Sequence, residues 1–240
     1  MFVRARMLPL VAALTLAVAA CGDDDNGGMT GPPEGDEVLS GDITSDVTLD
    51  ASTVYVIAGI VRVMDGGSLT IPAGTELRGS TSIFPSAVLV MQGGQLFSNG
   101  TESDPVVFTS GNAVGSREPG DWGGVVINGR SICNFLTQAS PQSECVSEGV
   151  SGEFGANPPV LNDNSGSITY TRIEFAGYEA SFGNELNALT LNGVGSGTEL
   201  HHIQTHFGLD DGFEWFGGTV NLKYALATGI RDDSFDYSTG

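Results

Sequence analysis

Six carboxylates stand in two short blocks near the end of the chain. Asp210, Asp211 and Glu214 lie in "GLDDGFEWFGG", and Asp232, Asp233 and Asp236 in "GIRDDSFDYSTG". From Asp210 to Asp232 is 22 residues, and the same offset relates Asp211 to Asp233, Phe213 to Phe235, Glu214 to Asp236 and Trp215 to Tyr237. If the blocks occupy adjacent turns one strand spacing apart, neighbouring like charges repel by roughly 1 kcal/mol per pair even in water. Three kinds of chemistry suit that arrangement. Ca²⁺, a hard cation, accepts several carboxylate and carbonyl oxygens in flexible geometry, and all six acids are candidate ligands. A pair of carboxyls about 5 to 9.5 Å apart would instead suit a glycosidase, with Asp210 or Glu214 set against Asp232 or Asp236. A lyase would need Ca²⁺ on the acids and Arg231 as base. In the structural alternative, Asp211 and Asp233 accept backbone N–H groups at bends, Glu214 and Asp236 are solvated, and Arg231 neutralises an acid. The spacing is not that of an EF-hand loop or a calcium-binding nonapeptide repeat.

The elements that must carry these acids are strands. "STVYVIAGIVRV", "GSLTIPAGTELRG", "SAVLVMQGGQLFSNG", "WGGVVINGR" and "GSITYTRIEFAG" alternate apolar and polar residues, are rich in β-branched side chains, and are separated by Gly-Gly, Asn-Gly and Pro-Ala-Gly turns. The composition agrees, with 35 glycines and 16% charged residues. A repeat in the twenties with one acidic turn and one aromatic block per unit predicts a solenoid, an all-β, right-handed parallel β-helix with rungs of about 22 residues. In an extended "GFEWF", Phe213 and Trp215 share one side while Glu214 and Phe216 point the other way, so the aromatics are expected to stack on Phe235 and Tyr237 of the next rung. The chain stops at Gly240 inside what should be a rung, so a further segment is expected to cap the coil.

Other chemistry-bearing residues are weaker candidates. In "ELHHIQTHF", strict alternation sends His202 and His206 to one side and His201 to the other, which speaks against a shared transition-metal site. Trp122 suits either a sugar platform or a buried corner. "GVGSG" is a turn, because no helix follows to offer its N-terminus to a phosphate.

The first twenty residues, "MFVRARMLPLVAALTLAVAA", set Arg4 and Arg6 before an apolar run with small residues at its end, the layout of a secretory signal and too short for a lasting membrane span. "VAAC" resembles the bacterial lipobox, which implies acylation of Cys21. Residues 21–37 read as a lipidated cysteine followed by an acidic Gly/Pro-rich tether, and 38–240 as the β-helix domain. Cys133 and Cys145 are then expected to pair as a disulfide in an exported chain, closing a loop worth roughly 3 kcal/mol. The formal net charge of −20 disfavours nucleic acid and anionic lipid surfaces as direct partners.

"LTIPAGTELRG", "WGGVVING", "DNSGSITYTRIEFAG" and above all "DDGFEWFGGTVNLKY" resemble a family of bacterial lipoproteins with a β-helical domain, of Bacteroidetes-type and spirochaete-type outer membranes. The resemblance implies a pectin-lyase-like fold and a lipid-anchored place on the outer membrane or cell surface. It implies no particular reaction. Two functions follow as expectations: a binding or structural module, with glycan as partner and Ca²⁺ as stabilising ion, or a polysaccharide lyase or glycoside hydrolase working through the acidic ladder. The Gly-His-Gly and Arg-Ile-Lys signatures of polygalacturonase-like enzymes are absent from the sequence.

Overall fold

In the computed structural model, residues 36–133, 145, 147–149, 152–181 and 184–238 are described, all within the compact unit Pro32–Gly240. The signal segment, Cys21 and the first part of the tether lie outside the described residues. The elements are strands: β1 (Asp36–Ile43), β2 (Asp46–Thr48), β3 (Val54–Val63), β4 (Ser68–Pro72), β5 (Glu76–Gly79) and β6 (Ala87–Val90). β7 (Gln95–Asn99), β8 (Val106–Ser110), β9 (Gly124–Asn128), β10 (Gly166–Glu174), β11 (Glu179–Ser181) and β12 (Asn184–Glu185) follow. β13 (Leu189–Asn192), β14 (Glu199–His206), β15 (Phe213–Phe216), β16 (Asn221–Thr228) and β17 (Phe235–Ser238) complete the set. β11 and β12 form a small antiparallel hairpin; every other pairing is parallel.

The pairings resolve into three columns. One runs β2, β4, β7 and the first halves of β10, β14 and β16. The second runs through the first halves of β1 and β3, then β5, β8 and the second halves of β10, β14 and β16. The third runs through the second halves of β1 and β3, then β6, β9, β13, β15 and β17. This is a parallel β-helix. Alternate residues of each strand face inward, so Ile57, Leu77, Leu96, Val125, Leu189, Leu191, Phe213 and Trp215 form one continuous core.

The repeat is regular only in places. Asp46 and Ser68 are 22 residues apart, as are Asp211 and Asp233, but Asn128 and Asn192 occupy neighbouring rungs 64 residues apart. A long excursion therefore leaves the coil between β9 and β10, and a shorter one carrying the β11–β12 hairpin leaves it between β10 and β13; parts of both cover the outward side of the third column. There Ala87, Leu89, Val126 and Leu186 form a second apolar layer, and Cys133, Phe154 and Phe216 a third, with Cys145 against it. The expected Cys133–Cys145 disulfide is present, with Cα atoms 5.9 Å apart.

Aromatic stacking follows the expected register. Phe213 lies over Phe235 with centroids 5.3 Å apart and Trp215 over Tyr237 at 4.6 Å. Trp122 is wholly buried, stacks on Phe108 and donates its indole N–H to the carbonyl of Glu174 at 2.8 Å, so it is core and cannot serve as a sugar platform.

The alternation expected for the histidines is broken. His202 has φ +52°, a left-handed bend that turns β14 from the first column to the second and brings His201 Nδ1 and His202 Nδ1 within 2.9 Å on the same outer face. A left-handed residue resets the period of two, which no alternation rule anticipates.

Gly79 is closely packed against the buried Trp122. A Cβ there would fall 2.3 Å from that of Trp122. Gly79→Ala should therefore lower stability by about 1–3 kcal/mol, read as a reduced urea midpoint with an unchanged slope.

Candidate functional site

The corner leading into the third column is built by a relay of side chains to backbone. Asn187 Oδ1 accepts the N–H of Asp211 at 3.1 Å, and Asp211 Oδ1 accepts the N–H of Asp233 at 2.9 Å. Backbone bonds run alongside, from Ala188 N–H to the Asp211 carbonyl and from Gly212 N–H to that of Asp233. Each corner side chain thus satisfies an amide of the following turn that has left one column and not yet joined the next. This fulfils the turn-acceptor expectation for Asp211, with the amide supplied by the next turn; among the described residues the Asp233 side chain accepts no such bond.

Around this corner the remaining acids converge. Asp210, Asp211 and Asp232 bring one oxygen each to within 4.8 Å of one another, and so do Asp211, Glu214 and Asp236. A third group joins Asp210 to Glu148 and Glu185, which the ladder in the sequence did not include. Asp233 belongs to none of the three. Of the six ladder acids, five are brought together, and the sixth contributes backbone groups to the corner.

The structural alternative has Glu214 solvated, and it is instead buried. Along the outward row the registers run Leu89, Val126, Thr190, Glu214, Asp236, so the row changes from apolar to acidic as it climbs the coil. Glu214 is 2% exposed and takes a very short hydrogen bond from Asn187 Nδ2. Arg231 does not neutralise the ladder; its guanidinium turns to Glu118 at 3.7 Å. Among the described residues no ion pair reaches any of the clustered carboxylates.

Burial without compensation raises the acids' affinity for protons. Burial, then the charges of Asp211, Glu185, Glu148 and Asp232, lifts Asp210 from the usual 3.8 to about 7. Asp211 rises to about 6, again chiefly by burial, with the Asp233 N–H opposing and Asp236, Asp232 and Asp233 adding repulsion. Glu214 rises to about 8 through burial, although hydrogen bonds from Ser238 and Asn187 favour its charged form against the repulsion of Glu148 and Asp211. Glu148 is raised as well, by burial and by Glu185 and Asp236. Burial and mutual repulsion thus favour the protonated form of these acids near neutral pH.

The residues missed in the sequence share one cause. Asn187 precedes Asp211 by 24 residues, so a search at 22 passes over it. Glu185 closes the β11–β12 hairpin and Glu148 follows the disulfide, both outside the coil's register. A separate hollow of about 540 Å³, lined by Trp215, Leu222, Ala225, Phe235 and Tyr237, is the interior surface of the last described turn and holds no carboxylate or imidazole.

Comparison with known proteins agrees with the topology. A family model described as a pectate-lyase like beta helix domain matches residues 41–240. No curated protein and no solved structure matches. The matched span takes in all three columns, the corner relay and every acid of the seam, and the chain belongs to the pectate-lyase-like beta-helix domain family.

Proposed function

We propose that the chain is a lipid-anchored, extracytoplasmic binding module for glycans at the bacterial outer membrane or cell surface, with Ca²⁺ held in the acidic seam as a structural ion. The observation that carries the cation is the convergence of Asp211, Glu214 and Asp236 within 4.8 Å, two of them buried, with no basic side chain paired to them among the described residues. Three oxygens so close suit a hard cation that takes carboxylate and carbonyl ligands. They suit a glycosidase poorly, because its two carboxyls must flank a sugar bond about 5 to 9.5 Å apart, and no sugar reaches Glu214 beneath Asn187. The disulfide accords with an oxidising compartment, and the "VAAC" preceding the tether supports lipid attachment at Cys21. The long regular faces of a solenoid suit an extended polymer.

Calorimetry in purified protein should show Ca²⁺ binding at pH 8, and melting should shift upward by an amount equivalent to roughly 2.7 kcal/mol when Ca²⁺ is in 100-fold excess over its dissociation constant. Asp211→Asn and Glu214→Gln should each abolish that shift; absence of binding in the unaltered protein would refute the cation.

The pH dependence in chelator has a definite sign. The folded-state values near 7, 6 and 8 lie above those of the unfolded acids, so the folded chain binds more protons between about pH 4 and 8. Stability should fall as pH rises through that window, and Glu214→Gln should flatten the upper part of the decline. Ca²⁺ should restore stability at pH 8 and have little effect at pH 5.

For the anchor, Cys21→Ala should eliminate fatty-acid labelling and release the protein from the membrane fraction. Unchanged membrane association without labelling would sink the lipoprotein assignment.

A further inference from the structure

On the lateral face opposite in character to the acidic seam, two lines of ring-bearing residues border a strip of sheet. Tyr170, His202 and Tyr224 stack along the coil axis, with centroids 4.3 and 4.4 Å apart and planes within 8° and 23°. Across the strip Phe175 lies 5.7 Å from Phe207, which is 41% exposed. These five are the only non-glycine residues with positive φ among the described residues, at +43°, +52°, +55°, +59° and +52° for Tyr170, His202, Tyr224, Phe175 and Phe207. Elsewhere the coil bends at glycine, as at Gly59 in β3, and the counterpart of Phe207 one turn on is Gly229, with φ +65°. Bulky rings have been kept where glycine would bend the chain without strain, which points to a use for them.

Between the two lines the outward residues are polar except for Leu226, which is exposed. Their rows are Arg172, Gln204, Leu226 and Glu174, His206, Thr228. Arg172 pairs with Glu174 at 2.6 Å, and Gln204 and His206 both reach the Thr228 hydroxyl, at 3.3 and 2.7 Å. All three histidines of the chain and its only lysine, Lys223, are on this face. In a protein of net charge −20 the strip is close to charge balance.

We propose that this trough binds an extended, uncharged glycan lying along the coil axis, an inference that rests on the glycan-binding reading above and gives it a location and a ligand class. The stacked rings occupy one another's faces, so the edges turned outward present the phenol groups of Tyr170 and Tyr224 and the imidazole of His202, donors and acceptors suited to sugar hydroxyls. These repeat at one strand spacing, roughly 4.8 Å, close to the length of a pyranose unit in an extended chain. Balanced charge favours a neutral polymer over a polyuronate, which the acidic remainder of the surface repels. A peptide strand is a poorer fit, because β14 is already paired on both sides by β10 and β16 and the face of a sheet offers no free backbone groups.

The test is affinity electrophoresis of the full chain through gels containing hydroxyethyl cellulose, laminarin or glucomannan, with polygalacturonate and alginate as acidic counterparts. Phe207→Gly and Tyr170→Gly accept positive φ and should melt near the unaltered protein, yet weaken retardation by at least one neutral polymer about tenfold or more. Gln204→Ala, which leaves both bends intact, should weaken it as well and guards against an unfolded glycine variant. Retardation unchanged in all three variants would overturn the trough while leaving glycan binding in place. Retardation by acidic polymers alone would overturn the neutral ligand, and none by any polymer would remove both proposals.

Discussion

In a parallel coil each residue lies one strand spacing, roughly 4.8 Å, from its counterpart in the next turn, so like side chains are forced onto like. For apolar and aromatic residues this is favourable: Phe213 over Phe235 and Trp215 over Tyr237 exclude water and keep the ring contacts that stabilise the stack. For amides it is also favourable, because Asn192 can donate to Asn128 at 3.0 Å within a buried row. For carboxylates it is not, since Glu214 over Asp236 sets negative charge above negative charge in a region of restricted water. The acidic seam is a consequence of the same geometry that builds the core.

The structure handles this conflict by dividing the work among neighbouring acids. Asp211 occupies the corner, where its side-chain oxygen satisfies the amide of Asp233 in the following turn and a charge-assisted bond partly compensates burial. Asp210, Glu214, Asp232 and Asp236 lie to either side with no such duty. Glu148 and Glu185 arrive from outside the coil and intensify the repulsion. A cation would join the coil to these segments across the seam; protons would do so less firmly and only at lower pH. On the cation proposal, stability, cation binding and the docking of the excursion would be coupled through one set of oxygens.

The lateral trough and the seam contrast in the way they use strain and charge. At the seam the unfavourable element is unpaired charge in a buried corner. At the trough it is backbone conformation, with tyrosine, phenylalanine and histidine placed where glycine bends other turns. Both departures occur in the same few rungs, β10 and β13 to β17, while the earlier rungs bend at glycines and carry ordinary alternating strands.

The sequence alone determined the fold class, because period-two alternation and a doubled 22-residue block are local properties that survive without coordinates. It also determined the inward direction of Phe213 and Trp215, the disulfide partners and the grouping of most of the acids. Tertiary structure decided the rest wherever a contact crossed an irregular interval. Asn187 reaches Asp211 over 24 residues, Asn192 reaches Asn128 over 64, and Glu148 joins the seam from an excursion whose length bears no relation to the rung. It also decided the burial of Glu214, which depends on what the excursion covers, and the common face of His201 and His202, which depends on a single left-handed residue. Periodicity predicts what a coil repeats. Insertions and bends lie outside the period, so the residues they bring together become legible only once the chain is folded.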